Sequence, residues 1–250
     1  MAKIKVDNVY KAFGAHKVLQ GINLEVQQGE SLVILGGSGT GKSVLLKAIV
    51  GLIPPDYGSI YIDGQDTTHL PRSQRTKFFS KCGFLFQAGA LFDSLTVEEN
   101  IVFFAQKLYS LSKKELSRLA QDKLSKVGLD ARILNLFPCE LSGGMQKRVA
   151  LARTICTNPE IIFFDEPTTG LDPIMSNVIN ELIATMHKEM NITCITITHD
   201  MNSARKIGTQ IAMLHEGKVH WQGSVQEMES AQNDVLQQFI HGSTHGPIKI

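Results

Sequence analysis

No apolar run in the 250-residue sequence is long enough to cross a bilayer. A spanning helix needs about 20 consecutive apolar residues. The nearest run, Val44 to Ile53, is broken by Lys47. Any membrane role is therefore expected to come through another chain. The formal net charge is only +1, and no block of like charge stands out. Bulk electrostatics thus makes no case for a nucleic-acid partner, and none is expected. The four cysteines (Cys82, Cys139, Cys156 and Cys194) show no CxxC or CxxH spacing. They read as buried or idle thiols of a reducing compartment, not as metal ligands or disulfides. The opening MAKIKVDNV lacks the apolar core of a secretory leader, so a cytoplasmic-type protein is expected. Repeats and low-complexity tracts are absent as well.

What is present is a change of pattern along the chain. Short β runs at Ile4–Val6, Ile22–Val26 and Ile60–Ile62 are separated by turns such as Pro54-Pro55-Asp56 and Asp63-Gly64. They suit antiparallel strands. The runs Ser31–Leu35, Gly83–Phe86, Ile161–Phe164 and Thr193–Thr198 are short and almost wholly apolar, as in a buried parallel sheet. Residues 96–140 read as helical. Thr96-Val-Glu-Glu99 and Ser112-Lys-Lys-Glu115 are two capping boxes followed by apolar residues at helical spacing. The predicted fold is α/β, with a parallel core, an antiparallel β portion near the start and an inserted helical portion.

The chemistry sits at the ends of the apolar runs. GGSGTGKS, Gly36-Gly37-Ser38-Gly39-Thr40-Gly41-Lys42-Ser43, follows the strand Ser31–Leu35 and precedes the helical run Val44–Val50. Its glycines let successive backbone N–H groups converge on phosphate oxygens at a helix N-terminus. Lys42 supplies a charge to the β/γ-phosphates, and Ser43 a hydroxyl to Mg²⁺. The strand Ile161–Phe164 delivers Asp165 to the same edge, next to Mg²⁺, and Glu166 is placed to orient or deprotonate a water. These motifs alone indicate a nucleoside triphosphate and Mg²⁺. Leu141-Ser142-Gly143-Gly144-Met145 adds a second helix start, with Ser142 and exposed amides facing an anion; the helix is expected from Met145 to about Thr157. One nucleotide does not need two such ends from one chain. This end is expected to cover a nucleotide held by a second copy.

Over nearly its whole length the sequence resembles the nucleotide-binding subunit of ABC transporters. The resemblance implies a single nucleotide-binding domain over residues 1–250, a P-loop NTPase with a RecA-like core. It places the helical subdomain at about 88–157 and a C-terminal tail at about 238–250. It implies that Phe13 stacks on adenine, that Gly36–Ser43 with Val44 binds ATP, and that Gln87 senses Mg²⁺ and water. It also implies that Leu141–Met145 is the signature, Gly170-Leu171-Asp172 the loop facing the partner, and His199 a switch near the γ-phosphate. Lys42, Gln87, Glu166 and His199 form the expected catalytic set; Ser43, Gln87 and Asp165 form the metal set. Val44 stands where many relatives have Thr, and Met145 where Gln is common.

The stretch FQAGALFDSL, residues 86–95, places large apolar residues on a loop. By resemblance Ala90, Leu91, Phe92 and Leu95 receive a short cytoplasmic helix of an integral-membrane permease. The competing reading folds Leu91 and Phe92 under the loop as core. QAGALFDSLTVEEN and the tail from Phe239 to Pro247 resemble the ATPases of Mla-type phospholipid transporters. That implies a homodimer on the cytoplasmic face of the inner membrane, attached peripherally, with a lipid-binding MCE-domain partner. The tail is expected to reach across to the second copy. An ATPase of another transporter class, such as an amino-acid or metal importer, shares every catalytic motif.

Overall fold

The computed structural model describes residues 2–249, apart from the side chains of residues 72, 73, 76 and 77. Along the chain run β1 (Ala2–Phe13), β2 (His16–Gln27), β3 (Ser31–Leu35), α1 (Lys42–Ile49), β4 (Tyr57–Ile62), β5 (Gln65–Asp66), α2 (Arg72–Phe79) and β6 (Cys82–Leu85). A helical stretch follows: α3 (Val97–Val102), α4 (Ala105–Leu108), α5 (Lys113–Lys126) and α6 (Gly143–Thr154). The chain returns through β7 (Ile161–Asp165), α7 (Pro173–Met190), β8 (Thr193–Thr198), α8 (Met201–Ile207) and β9 (Gln210–His215). It closes with β10 (Lys218–Ser224), α9 (Val225–Met228) and α10 (Asp234–His241).

Side-chain alternation decides which sheet is covered on both faces. In β2, Ile22, Leu24 and Val26 are buried while Asn23 and Glu25 are exposed, the mark of a sheet with one wet face. This strand joins the antiparallel sheet β2-β1-β4-β5. In contrast, every residue of β3 and β8 is buried. They lie inside the six-stranded sheet β10-β9-β3-β8-β7-β6, in which β6, β7, β8, β3 and β9 run parallel. This sheet separates two cores. Val33, Leu35, Ile162 and Phe164 face the helical side, and Leu32, Ile34, Ile161 and Phe163 face the antiparallel sheet. Each such residue contributes about 1.5–3 kcal/mol on burial.

Both expected capping boxes form. The Thr96 N–H donates to Glu99 Oε2 at 2.8 Å and the Ser112 N–H to Glu115 Oε2 at 2.8 Å, with the return bonds in place. The helix after Leu141 differs from the expected span. It begins at Gly143, because Ser142 is its N-cap and accepts from the Met145 N–H at 3.3 Å. It ends at Thr154, ahead of Asn158 in the left-handed region and Pro159, which disfavours helix before it.

The C-terminal segment does not extend away from the single chain. Gly242 caps α10 at φ 62°, and the chain turns back. The Gln238 side chain donates to the carbonyls of Ser243 and Ile248 at 3.1 and 3.0 Å and accepts from the Ile248 N–H at 2.7 Å. Ile248 packs against the larger core. The first and last residues of the expected 1–250 span lie outside the described residues, so the end of the expected tail does too.

Candidate functional site

Parallel pairing brings the motif residues to one edge. Leu85 of β6 is level with Phe164 of β7, Asp165 with Ile197 of β8, and Thr198 with Leu35 of β3. The residues just beyond these positions are Gln87, Glu166, His199 and the loop starting at Gly36. All are delivered to the C-terminal edge of adjacent strands, where open α/β sheets bind ligands.

The loop Gly36–Ser43 is shaped by contacts that leave little room for side chains. A Cβ on Gly36 would lie 2.4 Å from the Leu214 carbonyl oxygen, and Gly41 adopts φ 103° just before α1. The buried Lys42 ammonium donates to the carbonyls of Gly36 and Gly37, both at 2.8 Å. Burial pushes its pKa below the ordinary lysine value, and Glu166 and Asp165 offset part of that. Ser38, Gly39 and Ser43 are exposed; Gly37, Thr40 and Val44 are half-buried.

Glu166 is the most constrained of the acidic groups. Its backbone lies in the left-handed region at φ 48°, a strained conformation for a non-glycine residue. Its N–H donates to the Ile197 carbonyl at 2.9 Å. One carboxylate oxygen accepts from Thr169 Oγ1 at 3.1 Å and Thr198 Oγ1 at 3.2 Å. The other is 2.9 Å from His199 Nδ1, and the rest of that imidazole is exposed. Asp165, half-buried beside it, has its carboxyl pushed up by burial and by the Glu166 charge, with Lys47, Lys42 and Lys147 opposing. An anion in this state favours a cation. Among the described residues no cluster of three or more His, Cys, Asp and Glu side chains could hold a metal. One carboxylate, the exposed Ser43 hydroxyl and the Gln87 amide are hard oxygen donors. They fit Mg²⁺, which is commonly held by one or two carboxylates together with substrate phosphates.

Gln87 is fixed through its backbone. The buried Lys147 ammonium of α6 donates to its carbonyl. Two residues further on, Arg153 of the same helix donates to the carbonyls of Gly89 and Ala90 at 2.6 and 2.7 Å. Ala90 lies at φ 49°, again left-handed. Asn100, fully buried, then holds the following turn. It accepts from the Phe92 N–H at 2.8 Å and donates to the carbonyls of Phe92, Leu95 and Thr96, each at 3.0 Å. Beside this loop opens an apolar groove of about 620 Å³, with Leu52, Phe84, Phe86, Phe92, Phe104 and Leu108 among its lining. The four expected docking residues therefore separate. Ala90 and Phe92 line the groove, whereas Leu91 packs against the core and Leu95 is half-buried. The core reading holds for Leu91 and fails for Phe92, whose ring is left at the groove.

The remaining motif residues lie on other elements, some exposed and some buried. Ser142 and Gly143 are exposed at the start of α6, Leu141 is buried, and Met145 packs partly against the core. A Cβ on Gly144 would meet Met175 Cε at 2.5 Å, so α6 and α7 approach closely there. Gly170 is exposed at φ 83° and Leu171 is half-buried. Asp172 caps α7 by accepting from the N–H groups of Ile174 and Met175. Phe13 is 50% exposed at the end of β1, with the Lys11 ammonium 5.5 Å from its ring centre. Among the described residues no hydrogen bond joins residues 141–145 to the loop 36–43.

Sequence reading missed Lys147, Arg153, Asn100, Thr169 and Thr198. Lys147 and Arg153 look like ordinary basic residues of a surface helix, but α6 is buried nearly all round. Asn100 carried a faint signal: a polar residue one position before Ile101 on the buried side of a capped helix.

Comparison with known proteins finds relatives that cover most of the chain. A family model described as ABC transporter matches residues 19–169. The chain is 38% identical over 262 residues to the Arabidopsis thaliana protein TRIGALACTOSYLDIACYLGLYCEROL 3, chloroplastic, covering 98% of this chain and 75% of that protein. It is 35% identical over 246 residues to the intermembrane phospholipid transport system ATP-binding protein MlaF of Haemophilus influenzae, covering 98% and 93%. A dimeric ATP-binding cassette solved in a post-hydrolysis state with ADP and Pi matches with a TM-score of 0.82 and 36% identity, covering 89% and 98%. Relatives named for amino-acid and sulfate transport match at 35% and 38%.

Proposed function

The chain belongs to the ABC transporter family of ATP-hydrolysing cassettes, and from that premise we propose that it powers a phospholipid transporter. The observation that carries the ATPase reading is the alignment of Gly36–Ser43, Gln87, Asp165–Glu166 and His199 at one sheet edge. Phe13 stacks on the adenine, and the loop 36–43 with Val44 holds the phosphates. Lys42 exchanges its two carbonyl partners for the β/γ-oxygens. Ser43 and Asp165 would hold Mg²⁺, with Gln87 beside them, and the ion would supply positive charge against the charge developing on the phosphates.

Glu166 orients the attacking water. Its carboxylate is already aimed by Thr169, Thr198 and His199, so little reorganisation remains for the reaction. His199, its ring exposed beyond the Nδ1 held by Glu166, contacts the terminal phosphate. Ser142 and the adjoining amides of one chain cover the nucleotide of a second copy, so the working unit is a head-to-tail homodimer with two ATP. Gly170–Asp172 faces that second copy.

A permease with its own membrane spans docks a short amphipathic helix into the groove beside Phe92 and Ala90. The cassette then lies peripherally on the cytoplasmic face of the inner membrane. The printed name of the Haemophilus influenzae relative supports phospholipid cargo, and the resemblance carried by the residues QAGALFDSL supports an MCE-domain partner as well. The test is to isolate the subunit with its membrane chain and measure ATP-dependent transfer of a labelled phospholipid between vesicles. Transfer that depends on ATP and on Glu166 supports the reading. Co-isolation with a solute-binding protein, and no lipid transfer, favours an importer of small solutes instead, a reading that the amino-acid-transport relative keeps open.

A further inference from the structure

Behind the reaction edge lies a buried polar cluster that the motifs do not include. It consists of Thr168, Asn180, Asp200 and Ser203, drawn from the turn after Glu166, from α7, from the segment after β8 and from α8. Thr168, Asn180 and Ser203 are all at least nine-tenths buried. Ser203 Oγ lies 2.6 Å from Asp200 Oδ2, 2.9 Å from Asn180 Nδ2 and 3.1 Å from Thr168 Oγ1.

The proton directions follow from the chemistry of these groups. Burial pushes the Asp200 carboxyl up, but hydrogen bonds from Ser203 Oγ and from the Ser203 and Asn202 N–H groups, with the nearby His199, together hold it below the usual carboxylate range. An ionised carboxylate only accepts, so Ser203 gives it the one hydroxyl proton it has. Ser203 must then accept from both Asn180 and Thr168. The Asn180 carbonyl oxygen is left without a partner among the described residues, a defect the fold tolerates in order to keep the donor on Ser203.

Each arm leads to a working part. The Thr168 carbonyl accepts from the Leu171 N–H at 3.2 Å, so it starts the turn that carries Gly170–Asp172. On the other side the Asp200 N–H donates to Thr198 Oγ1 at 3.1 Å, and Thr198 in turn donates to Glu166. His199 lies between these two residues. Hydrogen bonds, relayed through the covalent frames of Thr168 and Asp200, thus join the partner-facing loop to the carboxylate that aims the water.

We propose that Ser203 is a positioning residue that locks the Gly170–Asp172 loop to the Thr198–Asp200 segment, so that contact with a second copy sets Glu166 and His199. This rests on the reading of those two residues given above. The test compares steady-state ATP hydrolysis and ATP affinity of the assembled protein for Ser203→Ala, Thr168→Val, the double variant and Glu166→Gln. Ser203→Ala is expected to lower kcat about tenfold or more, equal to about 1.4 kcal/mol of barrier, with KM for ATP within about twofold. Thr168→Val shows the same split. The double variant is no slower than Ser203→Ala, because Thr168 acts only through Ser203.

Wild-type kcat in Ser203→Ala overturns the proposal, as does a fully additive double variant. So does a loss of kcat that merely tracks lost ATP binding. Should Ser203→Ala fail to fold, Thr168→Val decides alone, and a wild-type kcat there is equally fatal. Turnover in Glu166→Gln would instead remove the reading of the site, and this proposal with it.

Discussion

Arg153→Met removes the guanidinium that clamps the loop after Gln87 to the helix of Ser142. The side chain is 6% exposed and makes two short bonds, to the carbonyls of Gly89 and Ala90. Hydrogen bonds to a charged group contribute about 1.5–3 kcal/mol each, about 3–6 together. Its contact with the Phe92 ring, 5.8 Å from the centre, adds about 0.5–1 kcal/mol. Against this stands the desolvated charge, which has no carboxylate partner among the described residues. Its removal recovers part of the loss. The net destabilisation is about 2–3 kcal/mol, a fall in Tm of about 5–10 °C for a chain of this size.

The loss should be local as well as global. Ala90 is held in a left-handed conformation that costs about 1–2 kcal/mol, and without the clamp it can relax. Amide exchange over residues 87–95 should then accelerate beyond what the global change explains. Arg153→Lys should recover less than half of the loss, since one ammonium does not reproduce the fork. Urea unfolding and hydrogen exchange of the purified subunit measure both effects. Stability of Arg153→Met within about 0.5 kcal/mol of wild type, with the loop exchanging as before, would refute the clamp.

Three further outcomes are expected. Glu166→Gln binds ATP normally and loses steady hydrolysis by about 10²-fold or more, read by nucleotide titration and phosphate release. Phe92→Asp folds and binds ATP but no longer assembles with a membrane partner, because a carboxylate would be buried in the apolar groove; unimpaired assembly would remove the docking role. The third concerns Asp165, whose carboxyl is raised above its ordinary value of 3.8 by burial first and by Glu166 second. The ionised form is therefore disfavoured in the folded chain, and stability is lost as pH rises through the raised value. Without nucleotide or Mg²⁺, Asp165→Asn should melt at a higher temperature than wild type at neutral pH. The difference narrows as pH falls into the ordinary carboxylate range. The variant should also lose the extra stabilisation that Mg²⁺ gives with ATP.

The parallel core was readable because its strands are short and largely apolar, and two of them run into glycine or acid. Ser31–Leu35 and Ile161–Asp165 announce themselves in this way. The two capping boxes were readable because a Thr or Ser three residues before Glu is a local signal with a local cause. What escaped depends on long-range packing. Lys147 reaches the Gln87 carbonyl across 60 residues of chain, and nothing local marks it as buried. Ser203 sits in a short helix, Met-Asn-Ser-Ala-Arg-Lys-Ile, and nothing local marks its hydroxyl as buried. The loop 86–95 was readable only in part. Its apolar content showed plainly, but the division of Leu91 to the core and Phe92 to the groove depends on the turn that Asn100 imposes.

That the serine-capped helix start serves the nucleotide of the opposite chain is tested most directly by mixing two inactive variants. Lys42→Ala disables the phosphate loop, and Ser142→Arg blocks the helix start. In a dimer of one of each, one site carries both defects and the other carries neither. The account predicts that each variant alone is inactive and that the mixture hydrolyses ATP. A mixture as inactive as its components would contradict it.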